Sequence, residues 1–128
     1  MDHQFRSELI KWTNELIRLN NEAKQFYTQV ARAEGYEPDF FGMVKPFADE
    51  VKEVRDKWLP LAMTFVRQTK PLHLHPIQIT QTEDNLETVA IKSFYGKTSL
   101  KIQMETFKSV DYVLKQVLQN VAEQGLEN

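Results

Sequence analysis

The apolar residues of the first third of the chain fall at Phe5, Leu9, Trp12, Leu16, Leu19, Ala23, Phe26, Val30 and Ala33. The gaps alternate between four and three residues, which keeps one stripe on one side of an α-helix. Ile10, Ile17 and Tyr27 widen that stripe beyond a bare seam, as suits a helix packed on two neighbours. The pattern predicts a helix of about 30 residues, about 45 Å long. Gly35 follows the last periodic residue and is placed to end it in a left-handed cap.

"YEPDFF" then interrupts the pattern, with Asp39 as a helix N-cap. A second stripe runs Val44, Phe47, Val51, Val54, Trp58, Leu61, Phe65. Pro46 suits the first turn of this helix, with "DFFGMV" as a short turn before it. Pro60 removes one backbone bond and predicts a kink about four residues upstream. The apolar phase continues across it unchanged, so the pattern gives one bent helix, ended by Thr69, Lys70 and Pro71. A third helix follows Pro76, with Ile79, Leu86, Val89, Ala90 and Phe94 on one face and Gly96 at its end. Its first half is weakly patterned. Thr80 with Glu83 resembles a capping box and predicts a start beyond Pro76. Ser99 caps a fourth helix that turns Leu100, Met104, Phe107, Val110, Leu114, Val117, Leu118 and Val121 inward, with Gly125 closing it.

Four amphipathic helices with short connections predict an all-α fold. The simplest arrangement is an up-and-down antiparallel four-helix bundle with long helices 1 and 2, forming one domain over residues 1–128. The alternative is two long helices with a shorter, more irregular second half.

Composition narrows the functions open to such a bundle. The 128 residues are 41% hydrophobic and 27% charged, the profile of a folded globular chain. Only four glycines and five prolines are present, too few for the turns of an all-β protein of this size. The formal charge of −2 leaves no broad basic field to attract nucleic acid or anionic lipid. With no cysteine, disulfides, thiolate catalysis and cysteine-ligated metals are excluded. The N-terminal "MDHQFRSELIKWTNEL" lacks the apolar core of a signal peptide, and no stretch of about 18 apolar residues occurs. A soluble, cytoplasmic chain is expected, with no nucleic-acid and no membrane partner.

Candidate chemistry is sparse. Two of the three histidines, His73 and His75, sit between prolines in "KPLHLHPIQ". In extended backbone they would share a side, and Glu83 or His3 could complete a metal site at the bundle end. The other reading has the imidazoles capping carbonyls, filling the bundle end or facing solvent. No Glu-x-x-His occurs, so ferritin-like di-metal chemistry is rejected, and no histidine lies on an inward stripe to ligate haem. Glu8, Glu15 and Glu22 recur every seven residues, each followed three residues later by Lys11, Arg18 or Gln25, the pattern of a solvated face laced with ion pairs. Lys101, Lys108 and Lys115 form a second row on helix 4, with Lys92, Lys97 and Tyr95 before it and Glu105 inside it. Asp111 stands near the apolar stripe of the same helix and is expected at its margin, with Val110 in the core. No Gly-rich phosphate loop and no Gly-x-Ser-x-Gly elbow are present.

The segments "DFFGMVKPFADEV", "DKWLPLAMTFV", "KPLHLHPIQI", "TEDNLETVAIKSFY" and "METFKSVDYVL" occur in this order from Asp39 to Leu114. Together they resemble the YppE-like family of small bacterial proteins; helix 1 matches only in pattern. The resemblance implies a four-helix bundle. It implies no assigned activity, no cofactor and no catalytic residue.

Two functions are therefore carried forward. The first is a non-enzymatic bundle that acts through a protein partner or as a homodimer, without catalytic residues, cofactor or bound metal. Its aromatics near the turns, Tyr36, Phe40, Phe41 and Tyr95, are candidates for more than the core needs, and a contiguous exposed patch of them would mark an interface. The second is a metal-binding or metal-dependent protein that uses His73, His75 and Glu83.

Overall fold

The computed structural model describes residues 1–127, folded into four helices: α1 (His3–Phe26), α2 (Lys45–Thr69), α3 (Pro76–Lys92) and α4 (Leu100–Glu127). A π-helical turn, Tyr27–Ala31, continues α1, and a second, Phe40–Val44, leads into α2. Each helix packs on the one before it, and α4 returns to α1. That ring of contacts is the up-and-down antiparallel bundle.

Local chemistry explains most boundaries. Asp2 Oδ1 accepts the Phe5 amide at 2.7 Å and starts α1. Asp39 Oδ1 accepts the Gly42 amide at 2.9 Å and starts the turn before α2. Pro46 sits in the first turn of α2, where its missing N–H leaves nothing unpaired. The helix then runs through Pro60 as one element and stops where Lys70 turns left-handed at φ 47°. Ser99 caps α4, its Oγ accepting the Ile102 amide at 3.3 Å.

Three boundaries differ from the pattern. Helix α3 begins at Pro76 and not later. His75 has extended backbone, and its N–H donates to Gln78 Oε1 at 2.7 Å. The Gln78 amide returns to the His75 carbonyl at 3.0 Å. The reciprocal cap is thus His75 with Gln78, and the Thr80 hydroxyl bonds back to the Ile77 carbonyl at 3.0 Å instead of capping through Glu83. Gly35 does adopt φ 83°, but in the turn beyond Arg32, because the π-turn has already ended the helix. Gly125 lies within α4 and does not close it.

One hydrophobic cluster joins all four helices, with Trp58, Phe65, Leu9, Leu16, Ile79, Leu86, Phe107 and Leu114 fully enclosed. The centre of the buried face of α1 is Leu9, Thr13, Leu16, Asn20, Ala23 and Tyr27. The apolar pattern instead centred Trp12 and Phe26, which are half-buried at the edges of that face. It missed Thr13 and Asn20 because a polar residue enters a core only when another helix supplies its hydrogen bond. Trp58 on α2 donates its Nε1–H to Thr13 Oγ1 at 3.0 Å, and Thr13 donates to the Leu9 carbonyl at 2.6 Å. Asn20 Nδ2 donates to the Phe107 carbonyl of α4 at 3.0 Å. On α4, Leu100 is exposed, and Gln103 takes the inward place, its Nε2 donating to Ser93 Oγ at 3.1 Å.

Replacing Thr13 by Val keeps the shape but leaves the Trp58 N–H buried without an acceptor. Thr13→Val should cost about 1–3 kcal/mol in urea unfolding. In a Trp58→Phe background the same change should cost clearly less, since the orphaned donor is gone. Equal costs in both backgrounds would show that the bond contributes nothing.

Candidate functional site

The sequence candidates lie at one end of the bundle. Residues 70–75 join α2 to α3, and Met1 and Arg6 share a small cavity with Thr69, so the start of α1 is at the same end. The anchor of this connection is Leu74, which is 1% exposed. In the extended backbone that follows, neighbouring side chains alternate sides, so burying Leu74 turns His75 outward. His73 and His75 are both exposed, while Glu83 is half-buried on α3. Among the described residues no three His, Asp or Glu side chains gather so as to hold a metal ion. The structure thus places His73, His75 and Glu83 without bringing them together, and makes His75 the residue that opens α3.

The acidic row of α1 lies on the outer surface. Arg18 bridges Glu15 and Glu22, each at 2.8 Å, and reaches Glu50 of α2 at 3.6 Å. These bonds, first from Glu15 and then from Glu22, hold the guanidinium protonated well above its ordinary range. All four side chains are well exposed, so the network contributes little stability. Glu8 departs from the ion-pair pattern: it accepts the Trp12 indole N–H at 3.0 Å, while Lys11 and Lys57 sit over the indole. Asp111 is at the margin of its face, pairs with Lys115 at 2.8 Å, and leaves the core position to Val110.

The opposite end holds the aromatic residues. Here α1 and the α3–α4 connection meet backbone to backbone: a Cβ on Gly96 would overlap the Ala31 carbonyl, so only glycine fits. Tyr27 donates its hydroxyl hydrogen to the Thr98 carbonyl at 3.1 Å across the same junction. Rings chain across this end, Tyr36 on Phe26 at 5.6 Å, Phe26 on Phe94 at 4.9 Å, and Phe94 on Phe47 at 5.6 Å. The four aromatics read from the sequence do not form one uniform patch. Tyr36 is half-buried against Phe26, whereas Phe40 and Phe41 stack edge-to-face at 5.2 Å, with Phe41 80% exposed. Met43, missed by the sequence reading, is also exposed. It borders a groove of about 240 Å³ lined by Phe26, Phe47 and Phe94.

The model of a bacterial domain of unknown function (DUF1798) matches residues 13–121. The chain belongs to this family. The uncharacterized protein YppE of Bacillus subtilis (strain 168) is 25% identical over 114 residues, spanning 89% of this chain and 92% of that protein. A crystal structure of a protein of unknown function from Listeria innocua matches with a TM-score of 0.89 at 28% identity, covering 97% of this chain and 98% of that one. The crystal structure of protein YppE from Bacillus subtilis matches with a TM-score of 0.86 at 23% identity over 98% of each chain. These likenesses agree with the family resemblance carried by the segments from Asp39 to Leu114 and with the bundle fold. The family is one of unknown function, so it assigns no role to any residue of this chain.

Two measurements follow from this geometry. Protein purified without a histidine tag should carry no stoichiometric transition metal, and added zinc should leave its melting temperature unchanged. A rise of several degrees that His73→Gln abolishes would restore the metal reading. The Tyr36 hydroxyl is buried without a hydrogen-bond partner, and burial, with Asp39 and Tyr95 nearby, pushes its pKa above the ordinary 10.0. An acid whose folded pKa is raised contributes stability that is full below its unfolded pKa and is lost as pH rises through the folded value. Tyr36→Phe should therefore match or exceed the wild-type melting temperature at pH 7 and lose less stability above pH 10.

Proposed function

We propose that the protein is a non-enzymatic, cytoplasmic helical bundle that works by binding another protein through its aromatic end. The observation that carries this reading is the Phe40–Phe41 pair. A residue 80% exposed is normally polar, yet Phe41 stands on the surface beside Phe40 and Met43, which are 48% and 41% exposed. Isolated surface apolar residues are ordinary, but three within four positions next to an apolar groove form a contact surface. The surface is held still: the Asp39 cap fixes the π-turn, and the aromatic chain beneath it fixes the groove. Rigid aromatic side chains make effective interface anchors, because little conformational freedom is lost when they are covered.

Support for the remaining parts of the reading is chemical. Among the described residues no helix is long and apolar enough to cross a membrane, and the chain has no cysteine. The groups that approach one another closely on the surface are ion pairs between residues of the same or adjacent helices. Most of these side chains are well exposed and solvated.

Phe41→Ser removes the most exposed anchor without touching the core, so its melting temperature should stay within about 0.5 kcal/mol equivalent of wild type. The variant should lose a partner that wild type retains on affinity purification, or, if the partner is a second copy, should lose the dimer mass in light scattering. A wild-type protein that is strictly monomeric and retains no partner sensitive to Phe41→Ser would end the proposal.

A further inference from the structure

The groove at the aromatic end is apolar with one exception. Phe26, Phe47, Phe94, Met43 and two small residues line it, and Glu22 of α1 is the one charged group among them. Glu15 of α1 and Glu50 of α2 converge with Glu22 on the same guanidinium, that of Arg18. Among the described residues no second cation pairs with any of the three. Three carboxylates around one guanidinium leave two negative charges uncompensated, and all three side chains are open to solvent. Lys45, between Met43 and Phe47 in sequence, is neutralised by Asp49 at 2.8 Å. Lys92, next to Ser93 in sequence, does not line the groove.

Shape and charge together select an occupant. At about 240 Å³ the groove lies below the range of small-molecule sites, about 300–1,000 Å³, and suits one large side chain. Beside it, the phenyl ring of Phe41 is exposed, and an open aromatic face attracts lysine or arginine. Glu15 stands about 10 Å before Glu22 along α1. The negative lip therefore runs from the groove along the seam of α1 and α2, the path an amphipathic segment would follow. Exposed phenylalanines alone would also suit a lipid surface, but carboxylates at the lip repel anionic lipid.

We propose that this groove and its acidic lip bind a segment of another protein that carries one large apolar side chain with lysines or arginines within two helical turns of it. The proposal rests on the protein-binding reading above and names the chemistry of the partner. The apolar side chain enters the groove, and the basic residues lie over Glu22, Glu50 and Glu15.

The test is an amide chemical-shift titration of the intact protein with three alanine-based peptides. The first has a central phenylalanine with a lysine four residues to either side; the second has alanine for the phenylalanine; the third has glutamate for both lysines. The first should shift residues 22–26, 43–47 and 93–94 most strongly. The second and third should each bind at least about tenfold more weakly, about 1.4 kcal/mol. Glu22→Lys, a surface change, should leave the melting temperature within a degree or so of wild type and reverse the ranking of the lysine and glutamate peptides. Equal binding of those two peptides, no effect of removing the phenylalanine, shifts outside these segments, or an unchanged ranking in Glu22→Lys would each overturn the proposal. So would binding of phosphatidylserine vesicles, or a dimer, that Phe41→Ser abolishes, since a membrane or a second copy would then be the occupant. The two readings fail separately: the protein-binding reading falls if wild type retains nothing through Phe41, and the present one falls if what it retains does not prefer lysine to glutamate.

Discussion

Helix α1 is tied to both of its neighbours from the middle of its buried face. Thr13 accepts a hydrogen bond from the Trp58 indole N–H of α2, and Asn20 donates to a backbone carbonyl of α4. Each bond joins groups sealed from water, where losing one partner would strand the other. Apolar contacts alone allow a helix to slide or rotate by one ridge at modest cost, since one aliphatic side chain packs much like another. A buried donor and acceptor that must meet remove that freedom. They fix the rotation and the height of α1 against α2 and α4. The Gln103–Ser93 bond does the same for α4 against the end of α3.

That fixed frame gives the two ends of the bundle different characters. At the α2–α3 end the chain must cross between helices quickly, and Leu74 plugs the core while its neighbours face water. His73 and His75, on either side of Leu74, are both exposed. At the other end, α1 extends into a π-turn and presses on Gly96, which brings Phe26, Tyr36, Phe47 and Phe94 together under the turn that displays Phe40 and Phe41. The exposed pair belongs to the turn whose Met43 borders the aromatic groove.

Asn20 spends one of its two polar groups on holding α4 and leaves the other without a donor.

Periodicity made the architecture legible. Four stripes at gaps of three and four, punctuated by Asp39, Pro46, Lys70–Pro71 and Ser99, were enough for the helices and their order, because burying an amphipathic face has few solutions. The margin position of Asp111 was legible too, since Val110 offered the better core residue. The start of α3 was not, because Gln78 reaching back to His75 is a cap that does not use the usual hydroxyl or carboxylate. Thr13, Asn20 and Gln103 could not be placed in the core from the chain alone, since their burial depends on partners 45, 87 and 10 residues away. Sequence determines which face of a helix avoids water, through the local spacing of side chains. Which polar groups that face can carry inside depends on what another helix offers at the same height, and only the tertiary structure settles that.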